Sequence, residues 1–170
     1  MSSTTLVSGR GTSAGGLDAV LDRANRAQSV LQRFFERTAA PTLQVALGLV
    51  FLVFGFLKLF PGVSPVEGLV TRTWESLTFG IVGAPWAMVA TATLEVFVGL
   101  TFVTGVFVRV GLAALAVTFV GIFSPLVFFA GELFTAAGPT LTAQYILKDV
   151  VLVGAAMVIA AKALKRSIDR

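Results

Sequence analysis

The sequence predicts an all-α integral membrane protein, built as a bundle of four transmembrane helices. Of its residues, 56% are hydrophobic and only 13% are charged, whereas an average soluble domain carries about 25% charged residues. Four apolar stretches each reach the roughly 20 helical residues that a hydrocarbon core requires. None of the four alternates polar and apolar residues as a barrel strand does. Helices satisfy their own backbone in lipid and are therefore the predicted spanning elements.

The four predicted spans cover residues 41–60, 84–104, 106–130 and 143–163. In the third span, Pro125 should kink or end the helix, and Ser124 is available to bond a freed carbonyl. In the first span, Gly48 and Gly55 suit close contact with another helix. We expect residues 41–164 to form one membrane domain.

The distribution of positive charge predicts that both termini are cytoplasmic. Of the two loops on the other side, only the first holds a cation, Arg72, and glutamates accompany it. Cationic flanks remain in the cytoplasm, and this also explains the net charge of +4. The expected partner is therefore the lipid bilayer and not nucleic acid. The predicted cytoplasmic cations are Arg10, Arg23, Arg26, Arg33, Arg37, Arg109, Lys162, Lys165, Arg166 and Arg170.

Three further segments flank or connect the spans. We expect residues 1–16 to form a flexible polar N-terminus and residues 165–170 to form a basic cytoplasmic tail. Residues 17–38 have apolar side chains at helical spacing, which predicts an amphipathic juxtamembrane helix that mainly orients the protein, with shallow membrane contact. In the loop 61–83, similar spacing predicts a short amphipathic helix across the outer mouth of the bundle.

The chain contains neither cysteine nor histidine. Thiolate catalysis, zinc sites of the usual kind and histidine-ligated haem are therefore excluded within it. We expect no metal site, no covalently bound cofactor and no enzymatic activity of the chain on its own. If the protein takes part in redox chemistry, the cofactor is a diffusible quinone or belongs to a partner protein.

Charged side chains inside the predicted spans are the main candidates for a site. Because side chains tilt toward the N-terminus of their helix, Lys58 in the first span leans toward the membrane centre. Glu95 runs on an oppositely directed helix and leans outward, so the two are predicted to pair. Residues at i and i+1 do not face each other on a helix, so Lys148 and Asp149 each need a partner elsewhere.

We expect Lys58, Glu95, Lys148 and Asp149 to form one polar cluster in the outer half of the bundle. Gln144 and Tyr145 lie one turn before the last two and complete the candidate ligand-binding set. Intramembrane ionisable residues occur both in functional sites and as structural ties between helices. Both interpretations stay open, and for Lys58 so does simple snorkelling to the interface.

Four motifs together cover most of residues 43–163: "LGLVFLVFGFLKLFPGVSPVEGL", "TFGI", "LEVFVGLTFVTGVFVR" and "QYILKDVVLVGA". They resemble motifs of the DoxX-like family of small four-helix bacterial membrane proteins. Many relatives have Lys-Asn in place of Lys148-Asp149. The resemblance implies a multi-pass protein of the bacterial cytoplasmic membrane, linked to quinone-dependent or oxidative-stress redox systems.

The leading functional hypothesis is an accessory membrane subunit of such a system. Its polar cluster would bind a quinone headgroup or a small anion, with Lys58 or Lys148 as hydrogen-bond donor. The alternatives are a small transporter or proton-permeation protein and a purely structural membrane anchor for a partner enzyme. Expected partners besides lipid are a redox protein or further copies of the chain.

Overall fold

The computed structural model describes the backbone of residues 12–168 and consists mainly of helices. The predicted polar N-terminus, 1–16, lies largely outside this range, as does the end of the predicted tail, 165–170. A two-stranded antiparallel hairpin joins β1 (Phe134–Thr135) to β2 (Gly138–Pro139). The helices are α1 (Thr12–Leu57), α2 (Glu67–Leu77), α3 (Trp86–Thr104), α4 (Val108–Phe123), α5 (Pro125–Phe128), α6 (Ala130–Leu133), α7 (Leu141–Lys148) and α8 (Val150–Ile168).

The chain divides into two compact units, Met1–Ala39 and Ala40–Arg170. The described part of the first unit is helical. Its large apolar side chains, such as Phe34 and Phe35, are exposed. Local hydrogen bonds join its polar side chains one turn apart, as from Gln32 to Glu36.

Helix α1 differs from the prediction at both ends of the first span. The helix includes Pro41, so no helix boundary separates the predicted juxtamembrane helix from the span. It ends at Leu57, three residues before the predicted end at Phe60. The next residues form tighter turns, in which the amide of Lys58 donates to the carbonyl of Gly55 at 3.2 Å. Lys58 therefore lies just beyond the regular helix.

Close contact between α1 and α3 depends on three glycines. A Cβ on Gly48 would lie 2.8 Å from Cβ of Phe102, and one on Gly55 would lie 2.8 Å from Cβ of Glu95. On the α3 side of the contact, a Cβ on Gly99 would lie 2.6 Å from the backbone nitrogen of Leu52 in α1. The predicted role of Gly48 and Gly55 in close helix contact is confirmed, and Gly99 supplies the matching surface on α3.

The main hydrophobic core draws on four helices of the second unit. Phe51 of α1 packs edge-to-face on Phe119 of α4, with ring centroids 6.3 Å apart. Phe102 of α3 is completely buried. The buried members are Leu47, Phe51, Val98, Phe102, Leu115, Ala156 and Ile159, so α1, α3, α4 and α8 all contribute to this core.

A second, smaller core forms among the short elements that follow α4. Its buried members are Leu133, Ala143 and Ile146. The predicted break at Pro125 is confirmed, because α4 ends at Phe123 and Pro125 opens α5. Ser124 Oγ donates to the carbonyl of Gly121 at 3.1 Å, so its hydroxyl is satisfied locally.

The predicted fourth span is not a single helix. Over residues 143–163 the chain passes from α7 to α8, with Asp149 at the junction. Within the described residues, three helical segments are long and apolar enough to cross a membrane: Val20–Leu57, Trp86–Thr104 and Val108–Phe128. The structure is thus that of an all-α membrane protein, while a count of four spans is not confirmed.

Candidate functional site

A buried ion pair joins the residue that follows α1 to the middle of α3, as predicted. Nζ of Lys58 lies 2.6 Å from Oε2 of Glu95. The side chains are only 9% and 6% exposed, so the pair is shielded from its surroundings on most sides. A charge-assisted hydrogen bond of this length is among the stronger polar contacts in proteins. The predicted pairing of Lys58 with Glu95 is confirmed.

The glycine contact places the two charged groups next to each other. Because Gly55 has no side chain, the backbone of α1 comes against Cβ of Glu95. Lys58 follows Gly55 by three residues, which is about one helical turn. From this position Nζ of Lys58 reaches Oε2 of Glu95. The close helix contact and the ion pair are therefore one structural feature.

Asp149 is the third charged group near this pair. It is half-buried at the junction of α7 and α8 and lies within electrostatic range of both Lys58 and Glu95. Its backbone carbonyl accepts from Leu152 at 2.9 Å, so α8 starts from it. Lys148 acts on Asp149 as well, so two cations and two carboxylates lie in this part of the chain.

The other members of the predicted cluster do not join the pair. Lys148 is exposed, with Nζ 3.9 Å from the centre of the Tyr145 ring. Gln144 is exposed as well, and its amide nitrogen donates to the carbonyl of Pro139 in the hairpin at 3.1 Å. The prediction of one cluster containing both lysines is wrong, because Lys148 and Asp149 are neighbours in sequence and leave the helix in different directions.

The pair retains hydrogen-bonding capacity for a further group. A lysine ammonium has three N–H donors, and Glu95 takes one from Lys58. Within the described residues, no fully enclosed side-chain nitrogen or oxygen lacks a hydrogen-bond partner. The pair can therefore offer adjacent donors and a carboxylate acceptor to a small polar group without leaving a buried atom unsatisfied.

Sequence reasoning missed a second ion pair. Arg72 of α2 contacts Glu132 of α6 through two hydrogen bonds of 2.8 and 2.6 Å. The same guanidinium lies 4.2 Å from the centre of the Phe129 ring. One feature of the sequence pointed to this pair, since Arg72 is the lone cation among the glutamates of the two predicted outer loops. Sixty residues separate the partners, and no local spacing relates them.

Comparison with known proteins decides the family. The family model of DoxX matches residues 41–144, which is more than half of the chain. The chain belongs to the DoxX family. Neither a comparison with curated proteins nor one with solved structures finds a match.

The region shared with the DoxX family contains part of the site. Lys58, Glu95 and the three contact glycines lie inside the matched range, and so do Arg72 and Glu132. The match ends at Gln144, so Tyr145, Lys148 and Asp149 follow it. In this DoxX protein, the buried pair therefore belongs to the family region, whereas the third charge lies in the segment beyond it.

The pair between Arg72 and Glu132 should make the attachment of α2 sensitive to acid. The guanidinium lowers the pKa of Glu132 from its usual value of 4.5. A carboxylate with a lowered pKa in the folded state stabilises that state above its unfolded pKa, and the contribution disappears as pH falls through the folded pKa. We therefore expect α2 to loosen below about pH 4.5. Trp74 reports the attachment of α2, because its indole nitrogen donates to Thr91 of α3 at 2.7 Å.

The measurement uses Trp86→Phe, which leaves Trp74 as the single tryptophan, since the chain has two. Its fluorescence emission should shift to longer wavelength as the pH falls below about 4.5. Adding Glu132→Gln should produce this shift already at neutral pH and remove most of the pH dependence. Identical pH profiles with and without Glu132→Gln would contradict the assignment.

Proposed function

We propose that this DoxX-family protein is an accessory membrane subunit of a quinone-linked redox system. In this proposal, Lys58 and Glu95, with Asp149 beside them, hold the polar headgroup of a quinone or quinol. The observation that carries the proposal is the 2.6 Å ion pair between side chains that are each less than a tenth exposed. Ionisable groups at such positions in membrane proteins are functional candidates by default.

The hydrogen-bonding groups suit both forms of such a ligand. A quinone carbonyl accepts a hydrogen bond, and the ammonium of Lys58 is a donor. A quinol hydroxyl donates, and the carboxylate of Glu95 is an acceptor. The chain has neither cysteine nor histidine, so its own residues would bind and orient the headgroup while electron transfer depends on a partner protein.

The balance of charge favours a neutral headgroup over a small anion. Lys58 supplies one positive charge, and Glu95 and Asp149 together supply two carboxylates. An anion would bring a further negative charge into a region of low dielectric constant, where like charges repel strongly. Lys148 offsets only part of this through Asp149, because it is exposed and lies over Tyr145. A quinone avoids the repulsion and still uses the polar groups.

The wider placement of the protein is part of the same proposal. Helix α8 contributes Ala156 and Ile159 to the main core, which supports α8 as the fourth crossing of a bacterial cytoplasmic membrane. Both termini would then lie on the cytoplasmic side, in agreement with the distribution of arginine and lysine. Helix α2 would lie on the outer side, near the end of α1 that carries Lys58.

Quinone binding can be tested with decylubiquinone added to the protein in phosphatidylcholine nanodiscs. Quinones quench tryptophan fluorescence, so binding should appear as saturable quenching. The double variant Lys58→Met/Glu95→Gln removes both charges and leaves neither buried alone. We expect it to bind about tenfold more weakly, because a hydrogen bond to a charged group contributes roughly 1.5 kcal/mol or more. The matched control Lys148→Met should bind like the unmodified protein.

Equal affinity of the three proteins for decylubiquinone would overturn the proposed site.

A proton relay is the competing function, and the break between α7 and α8 at Asp149 favours it, since interrupted helices often line ion pathways. Proteoliposomes with an internal pH-sensitive dye separate the two. Proton flux that Glu95→Gln abolishes, in a protein that does not bind decylubiquinone, would assign the pair to proton permeation.

A further inference from the structure

A groove of about 270 Å³ opens at the other end of the bundle from the Lys58–Glu95 pair. It lies where α3 ends and α4 begins, and Gln44 of α1 contributes to its wall. Gln44 precedes Lys58 by 14 residues, which corresponds to about 21 Å along a helix. The groove therefore belongs to a separate site and is independent of the proposed quinone function.

The groove has walls that are apolar in part and a positively charged rim. Its walls include Val45, Val103 and Ile159, and Lys162 lines it as well. Arg109 adds a second cation, because its guanidinium donates to the carbonyl of Ala163, another lining residue, at 3.2 Å. No aspartate or glutamate is among the described residues that line it.

The groove lies at the level where membrane spans end. Of the apolar segments that are long enough to cross a membrane, one ends at Thr104 and the next begins at Val108. Both residues line the groove. A lysine at that level faces lipid headgroups, whereas apolar side chains further along the spans face the acyl chains. Gln44 is satisfied by the carbonyl of Phe102 at 2.8 Å, so the polar part of the wall is fixed in place.

We infer that this groove binds one anionic phospholipid, with the headgroup phosphate at Lys162 and Arg109 and an acyl chain along Val45. Charge complementarity selects this occupant, because two cations border the groove and none of its described lining residues is a carboxylate. The apolar wall requires an acyl chain and not the phosphate alone. Such a lipid would fill the space between α1 and the α3–α4 turn and hold these elements together.

The test is native mass spectrometry of the full chain taken from nanodiscs that contain phosphatidylcholine and phosphatidylglycerol in equal amounts. The unmodified protein should retain one phosphatidylglycerol in preference to phosphatidylcholine. In Lys162→Gln this retention should fall about fivefold, which corresponds to about 1 kcal/mol for one cation near an anionic surface. The matched control Lys165→Gln, which alters an exposed lysine three residues further on, should retain the lipid.

A second pair of variants tests the apolar wall without altering charge. Val45→Phe narrows the groove and should reduce lipid retention, whereas Val53→Phe, at another exposed position of α1, should not. Equal retention of the two lipids by the unmodified protein would overturn the inference. Equal losses of lipid retention in Lys162→Gln and Lys165→Gln would also overturn it. So would the finding that inorganic phosphate stabilises the protein in pure phosphatidylcholine as much as phosphatidylglycerol does.

Discussion

Replacing Gly99 with alanine is expected to destabilise the protein by about 1–3 kcal/mol, the usual cost of overpacking a close contact. The new Cβ would lie 2.6 Å from the backbone nitrogen of Leu52 and 2.8 Å from the backbone oxygen of Gly48. Backbone atoms in the middle of a helix cannot move aside individually, so α1 and α3 would have to separate. Their separation also moves Lys58 away from Glu95, because the pair depends on the same contact.

Gly121→Ala provides the matched control for Gly99→Ala. Gly121 lies in α4, and a Cβ there would meet no atom of the described residues within 4 Å. Alanine has the higher helix propensity by roughly 1 kcal/mol, so this variant should be as stable as the unmodified protein or more so. Thermal unfolding in detergent, followed by circular dichroism, measures both variants. If Gly99→Ala melts at the same temperature as Gly121→Ala, the proposed contact between α1 and α3 does not limit stability.

Removing one partner of the buried ion pair should produce the second large loss of stability. Lys58→Met leaves the carboxylate of Glu95 without its hydrogen-bond donor in a nearly enclosed site. An uncompensated buried charge costs about 3–5 kcal/mol, and the repulsion from Asp149 increases this cost. Glu95→Gln leaves an unpaired ammonium instead, but Asp149 remains within electrostatic range of Lys58. We therefore expect Lys58→Met to be the more destabilising of the two single variants.

The double variant Lys58→Met/Glu95→Gln should recover most of the lost stability. Replacing both charges of a buried pair by uncharged groups of similar size is often neutral or stabilising. The four proteins form a double-mutant cycle, which isolates the pairwise energy, and Lys148→Met is the control for loss of an exposed lysine. Additive effects of the two single substitutions, or an equal effect of Lys148→Met, would contradict a coupled pair.

The pairing of Lys58 with Glu95 was predictable because two regular rules determine it. Helix direction determines the tilt of each side chain, and residue counts give depth at 1.5 Å per residue. Both rules hold in the middle of α3, which carries Glu95, and Lys58 directly follows the last residue of α1. The role of Gly48 and Gly55 in close helix contact was also predictable, because small residues in apolar helices mark close contacts.

The misplacement of Lys148 arose where these rules no longer apply. The prediction treated residues 143–163 as one helix, whereas α7 ends at Lys148 and α8 begins at Val150. At this junction Asp149 is half-buried, whereas Lys148 remains exposed over Tyr145. Which residue of two sequence neighbours faces the interior depends on how α7 packs through Ala143 and Ile146, and local sequence does not encode that packing.

By itself, the sequence determined that the protein is helical and lies in a membrane, because hydropathy and length depend only on the residues along one segment. It also identified the family region and one buried ion pair. Tertiary structure alone decided the contact between Arg72 and Glu132, the junction at Asp149 and the groove beside Lys162. Each of these brings together residues that are distant in the chain or depends on how neighbouring helices pack, and such arrangements have no periodic signal in the sequence.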